Sequence, residues 1–559
     1  MRSLFYALLL LAVVAGSVVL LRSLEPRDRP APRSEPRGTP VVQSLAPTPS
    51  APRQAPRAKV QPHERLATGV ELLGLWHVRE ATAALEEAVA ADSTSRPAWV
   101  FLVECYSDAQ ICREDAARGA WQHASLGAAA ADSFYLSGVK NLFLHRDYAA
   151  AIDDFSHSRR SGGGAAGPDV RYYLALAKYL AGRLDAADAD LEDLLTEDDT
   201  VGRVVELSIR VLVARGDVAA AAERAHDLAR LYAEEPFPYV LLAQIEMLRG
   251  ALDVAVEFCN NALLLDARYI PAVLTRANLY AVQGEMEAAR VTFEKLLLFD
   301  DLILRSIGQE GIAFVDFYSG RFGDGVDAMD EAIRDAVMAG SVRRGLSYAS
   351  HLVGYLCELG QADQAEGVVD RWVTGFGDIP VRLARMRIDI LRGELAAAHQ
   401  SLVEMKASKD WSIWSRVMGM DYAELSALTS IAAGRSDQAA ALVESGTAVA
   451  AGVAARRAFL QGYAAFESGD AEAARKAFSA ARAGVFGVEF PYRGDPVLAV
   501  QSLFFIAEAA IAALDKDAAR THYSEFLGCW ADADWDLPAV ARARDKLSNL
   551  SAAPDGGGR

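Results

Sequence analysis

Four glycines, Gly182, Gly216, Gly250 and Gly284, stand 34 residues apart, and each opens the same pattern. Two positions on come Leu184, Val218, Leu252 and Met286; five on come Ala187, Ala221, Ala255 and Ala289. Nine on come Leu191, Ala225, Cys259 and Phe293; twelve on come Leu194, Leu228, Ala262 and Leu296. Positions five, nine and twelve share one face of a helix. The glycine between two helical patterns lets the backbone turn back on itself. The small residue at the fifth position lets the second helix lie close against the first. A fixed period of this length predicts a repeat architecture, in which each unit buries its apolar face by stacking on the next.

The ladder extends outward through Gly320, Gly360, Gly393, Gly434 and Gly469, at spacings of 33 to 41. Ala365, Ala398, Ala439 and Ala474 again follow at five, while Gly325 holds that place after Gly320. Three weaker units precede the ladder. One runs through Gly69, Ala81, Leu85 and Ala88, one through Trp99, Tyr106, Ala117 and Trp121, and one through Tyr148 and Phe155. A last unit lacks the glycine but keeps Ala519, Tyr523 and Phe526, and 538–550 reads as a capping helix. The sequence therefore predicts an all-α array of about thirteen units over 63–550, with 551–559 as a disordered tail. Pro97, Pro168, Pro236, Pro271 and Pro380 fall at expected junctions, where proline is tolerated.

Asp147-Tyr148-Ala149-Ala150-Ala151-Ile152-Asp153-Asp154-Phe155 resembles the second helix of a tetratricopeptide repeat. Gly462, Tyr463, Gly469, Ala474, Phe478 and Ala481 resemble most of one such unit, and Tyr239, Leu242, Ala243, Gly250, Ala255 and Ala262 another. The resemblance implies a right-handed superhelix whose first helices, the A helices, line a concave groove. Its register places Tyr172, Tyr179, Gln244, Asn278, Phe314, Phe317, Arg387, Tyr463 and Phe466 on or near that groove. Exposed aromatics with occasional Asn and Arg suit an extended peptide or an amphipathic helix of a partner protein. The alternative is that several of these pack against neighbouring helices. The run from Asp515 to Pro538 is similar to the ends of repeat arrays in bacterial signalling proteins, which implies a signalling or envelope setting.

Outside the repeats, Leu4 to Leu21 is an apolar run flanked by Arg2 and Arg22. It is long enough to span a bilayer, so 1–24 reads as a transmembrane anchor, with a cleaved signal sequence as the alternative. Residues 25–62 hold ten of the 20 prolines and read as a disordered Pro- and Arg-rich linker. Extended at polyproline rise, such a linker reaches up to about 120 Å. Arg22, Arg27, Arg29, Arg33 and Arg37 come after the run and place the body in the cytoplasm by the positive-inside rule. An anchor with a short leading tail can also export the body attached to it, so the periplasm stays open.

The formal charge of −18 is uneven: residues 1–65 carry +6 and 66–559 carry −24. A body this acidic repels nucleic acid. The five cysteines form no CxxC pair and read mainly as small buried hydrophobes. Gly162, Gly164 and Gly167 match a dinucleotide fingerprint by letter but follow no strand, and His145-Arg146-Asp147 lacks every other part of a kinase catalytic loop. We expect no enzyme, cofactor, metal site or small-molecule substrate.

Overall fold

The computed structural model describes residues 62–162, 169–197, 202–408, 417–418, 422–444, 451–485 and 494–552. Among them 27 α-helices follow one another, as 13 helix pairs and the closing helix Pro538–Ala552. Pair 1 is Pro62–Gly74 with Val78–Ala91, and pair 13 is Pro496–Ala512 with Lys516–Trp530. The apolar run Leu4 to Leu21 and the Pro-rich linker lie outside the described residues, as do Pro168, Gly164 and Gly167. Among the described residues no helix is long and apolar enough to cross a membrane.

The 34-residue pattern acts as its chemistry requires. Ala187, Leu191, Ala221, Ala225, Ala255, Cys259, Ala289 and Phe293 are all fully buried, on the face of each second helix, helix B, that meets its own helix A. Each ladder glycine ends helix A with a positive φ, between 72° and 87°. At Gly250 the amide donates to Met247 O at 3.0 Å, and Ala251 N donates to Glu246 O at 2.9 Å. This pairing satisfies the last carbonyls of helix A and aims the chain into helix B. Proline sits in the first turn of Arg96–Ser107, Phe237–Leu248 and Ile270–Val282, where its missing amide costs nothing.

Every pair has one such left-handed residue, but four of the thirteen are not glycine: Trp76, Cys112, Arg146 and Leu514. A side chain in this conformation costs about 1–2 kcal/mol. Leu514 gains nothing in return, since it is 86% exposed. Replacing Leu514 by glycine should therefore stabilise the chain by about 1 kcal/mol, read as a higher unfolding midpoint. The other three take part in the contact between coils or line the cavity beside it.

Close approach of the paired helices has its own residue signature. A Cβ at Gly138 would lie 2.6 Å from the Phe155 ring, and one at Gly462 would lie 2.8 Å from the Phe478 ring. Glycine on helix A thus makes room for the large residue that helix B inserts.

Candidate functional site

The array coils until non-neighbouring pairs touch, and this decides which inner residues remain accessible. In the C-terminal half, helix A of pair 13 crosses to pack on Leu302–Tyr318 and Val342–Glu358, the A helices of pairs 8 and 9. Gln501 Nε2 donates to Glu358 O at 2.9 Å, and Trp530 Nε1 donates to Phe317 O at 3.2 Å. The Asp534 carboxylate accepts Phe322 N at 2.9 Å and Gly323 N at 2.8 Å, closing the first turn of helix B of pair 8. One apolar core therefore extends from pair 7 to pair 13, with two smaller clusters beside it in pairs 11–13.

This closure corrects the expected groove. Phe314 and Phe317 are buried in that core, with Phe317 edge-on to Tyr355 at 5.1 Å. Arg387 is also drawn inside. Its Nη2 lies 2.6 Å from Glu424 Oε1, and Arg456 Nε lies 3.0 Å from the same oxygen. Glu424 is 1% exposed and both arginines 10%. Gly354 makes the space, since a Cβ there would lie 2.5 Å from Arg387 Nη1. Tyr463 and Phe466 are half-buried, each set edge-on against Phe505.

The interior around these charges is tuned to hold them. Burial pushes the His351 imidazole down to about 3, with Arg456 and Arg387 adding to the effect, so the ring is neutral. Glu358 is held well above the usual carboxylate range by burial and by the Asp495 carboxylate beside it. The free space among Ser350, His351, Tyr355 and Arg387 is about 10 Å³. That is at the threshold for a single water, so the cluster is a structural lock and no ligand pocket.

The N-terminal half has a second lock. Glu104 accepts Arg203 Nη2 at 2.6 Å and the Tyr173 hydroxyl at 2.7 Å, while the Arg203 guanidinium lies 3.9 Å from the centre of the Tyr172 ring. Tyr172 is consequently buried rather than exposed. Tyr179, Gln244 and Asn278 are half-exposed, on the A helices of pairs 4, 6 and 7. Gln244 and Asn278 occupy one repeat position, and Arg210 of pair 5 holds the same place one period earlier.

The turns of pairs 1–3 dock on the junctions that precede pairs 6–9. Trp76 lies 6.3 Å from the Phe237 ring and 4.6 Å from the Arg210 guanidinium. His77 Nε2 is 3.0 Å from Glu235, and Arg79 Nη2 is 2.8 Å from Asp301. Ser341 Oγ donates to Cys112 Sγ at 2.8 Å, Arg343 N donates to Glu114 at 3.0 Å, and Arg343 Nη2 donates to Leu144 O at 2.6 Å. Trp76 and Cys112, both left-handed, thus serve the contact between successive coils. Their signal in the sequence is the place where the glycine of the ladder is missing.

A cavity of about 340 Å³ opens beside this contact, between helix Glu114–Ser125, the segment Lys140–Arg146 and Arg343. Its apolar wall is Trp121 and Phe143, and Lys140 Nζ sits 4.8 Å from the centre of the Trp121 ring. Lys140–His145 is wound as a π-helix, a local departure from α geometry. Burial lowers the Arg343 pKa; Glu114 opposes this, and the like charges of Arg146 and Arg118 reinforce it. His145 is likewise lowered, by burial and then by Lys140 and Arg343. Both shifts have a cluster of cations among their causes. The five cysteines are unpaired, and among the described residues no three His, Cys, Asp or Glu side chains group as a metal site.

No family model and no curated protein matches the chain. Among solved structures it is similar to that of Naa15/Naa10 bound to HypK-THB, with 13% identity, a TM-score of 0.23, and coverage of 88% of this chain and 93% of that one. It is similar also to the APC/C hetero-tetramer Cut9–Hcn1, with 16% identity, a TM-score of 0.26, and coverage of 76% and 84%. A third is a tetratricopeptide repeat protein from Parabacteroides merdae, with 17% identity, a TM-score of 0.26, and coverage of 56% and 98%. At these TM-scores none of them bears on function. By its own helix pairs and their left-handed turns, the chain is an all-α solenoid of tetratricopeptide-like units.

Proposed function

We propose that this protein is a membrane-tethered scaffold that binds a partner protein along the A helices of its middle pairs. The observation that carries the reading is the row Arg210, Gln244 and Asn278. These polar side chains repeat at the period of the array and stay half-exposed, while Phe314 and Phe317 of pair 8 and Arg387 of pair 10 are packed inside. A polar row between apolar helices suits an extended segment, read by side-chain hydrogen bonds along its length. The apolar run Leu4 to Leu21 supplies the anchor and 25–62 the reach, which raises the partner's effective concentration at the membrane. The arginines after the run favour a cytoplasmic body. No catalytic step belongs to this reading.

Crosslinking and recovery from membranes should yield a partner with the native chain and about tenfold less with Gln244→Ala/Asn278→Ala, in line with the loss of two interfacial hydrogen bonds. Equal recovery from both would sink the proposed surface. Deleting residues 1–24 should move the protein to the soluble fraction; unchanged fractionation would remove the tether. Fusion of alkaline phosphatase to the C-terminus should be inactive, and an active fusion would put the body outside the cytoplasm.

A further inference from the structure

Three features meet at the cavity beside the coil contact. First, most arginines of the body are paired with carboxylates, as Arg343 is with Glu114 and Arg118 with Asp115. Lys140 and Arg146 line the same cavity, and among the described residues neither has an ion-pair partner. Second, two of the four strained left-handed residues, Cys112 and Arg146, border it. Strain of this kind persists where the surroundings hold it, and it clusters at ligand sites. Third, Lys140 and His145 begin and end a π-helical segment, a local distortion frequent at functional sites.

We propose that this cavity binds a small organic phosphate monoester, with its phosphate between Lys140 and Arg146 and its apolar body against Trp121 and Phe143. The charge decides the head group. Glu114 already matches Arg343 and Asp115 matches Arg118, which leaves an excess of the two cations. A phosphate monoester carries about −1.5 to −2 near neutral pH and offsets both, whereas a carboxylate offsets one. Guanidinium and ammonium donors also suit its three acceptor oxygens. The size decides the rest: 340 Å³ lies at the small end of small-molecule pockets. The acidic body excludes a nucleic-acid strand, and the chain's own linker is basic, so it would be repelled from this site. The inference goes beyond the scaffold reading, because the cavity is separate from the Gln244–Asn278 row and needs neither partner nor membrane.

Titration calorimetry of the full chain with phenyl phosphate tests it, with benzoate, inorganic phosphate and a phosphotyrosyl peptide as further probes. Phenyl phosphate should bind at one site per chain, about tenfold or more tighter than benzoate or inorganic phosphate. Lys140→Gln should weaken it by about ten- to a hundredfold, and so should Arg146→Gly, which also relieves the positive φ and so leaves the fold intact. Retained affinity in both variants, or benzoate binding as tightly as phenyl phosphate, would overturn the proposal. Tighter binding of the phosphotyrosyl peptide than of phenyl phosphate would overturn the small-molecule assignment in favour of a modified partner.

Discussion

Replacing Glu424 by alanine is expected to destabilise the C-terminal half of the solenoid by about 3–5 kcal/mol. The carboxylate is almost fully buried and is the shared counter-ion of Arg387 and Arg456. Its loss leaves two guanidinium groups, from pairs 10 and 12, facing each other without compensation. Their mutual repulsion comes on top of their unrecovered desolvation, and this makes the single variant costly. Removing all three charges is a different experiment. Glu424→Leu with Arg387→Met and Arg456→Met exchanges the ions for apolar volume, and should come within about 1–2 kcal/mol of the native chain. Because a long repeat array need not unfold as one unit, the readout is amide hydrogen exchange in Asp378–Arg392, Tyr422–Ala432 and Ala451–Ser468 rather than a global midpoint. A Glu424→Ala variant with native protection there would mean that the triad does not hold the pairs together.

The second large effect is expected at Trp530. The side chain is fully buried, edge-on to Phe322 at 5.3 Å and to Phe526 at 5.5 Å. Its indole also donates across 213 residues of sequence to Phe317 O. Trp530→Ala should cost about 3–5 kcal/mol, from lost burial and from the cavity left between pairs 8 and 13. The spatial pattern matters more than the magnitude. Exchange should quicken in Leu302–Tyr318 and Pro496–Ala512 together, since each is protected by the other. Quickening confined to Lys516–Trp530 would show that the two A helices do not depend on one another.

The repeat itself is legible in the sequence because a helix pair is a local object. The Gly-to-Ala spacing, the buried fifth, ninth and twelfth positions, and the junction prolines all act within about forty residues, and the structure places Pro97, Pro236, Pro271 and Pro380 at the starts of A helices. The inner face is less legible for a physical reason. Whether Phe314, Phe317 and Arg387 meet solvent depends on how far the array coils, and coiling is set by contacts such as Trp530 with Phe317 and Arg343 with Glu114. Those partners lie about two hundred residues apart, and no period links them. Gln244 and Asn278 stay half-exposed although Ile270, Leu274 and Ala277 on the same helix as Asn278 belong to the core that runs on into pair 13. The exceptions to the ladder are more informative than its rungs. Trp76, Cys112 and Arg146 stand where glycine is cheaper, and each brings its side chain to the contact between coils or to the cavity beside it.

The closure of pair 13 on pair 8 has a direct covalent test. A Cβ built at Gly320 lies 3.2 Å from Ala533 Cβ, a few tenths of an ångström short of the usual disulfide separation of about 3.5–4.5 Å. Gly320→Cys/Ala533→Cys, in a Cys529→Ser background, should therefore form an intramolecular disulfide under mild oxidation of the folded chain. The closed arrangement predicts nearly complete conversion, seen as a faster band on a non-reducing gel and as the linked peptide by mass spectrometry. Two free thiols at both sites after oxidation, with the protein still folded, would contradict it.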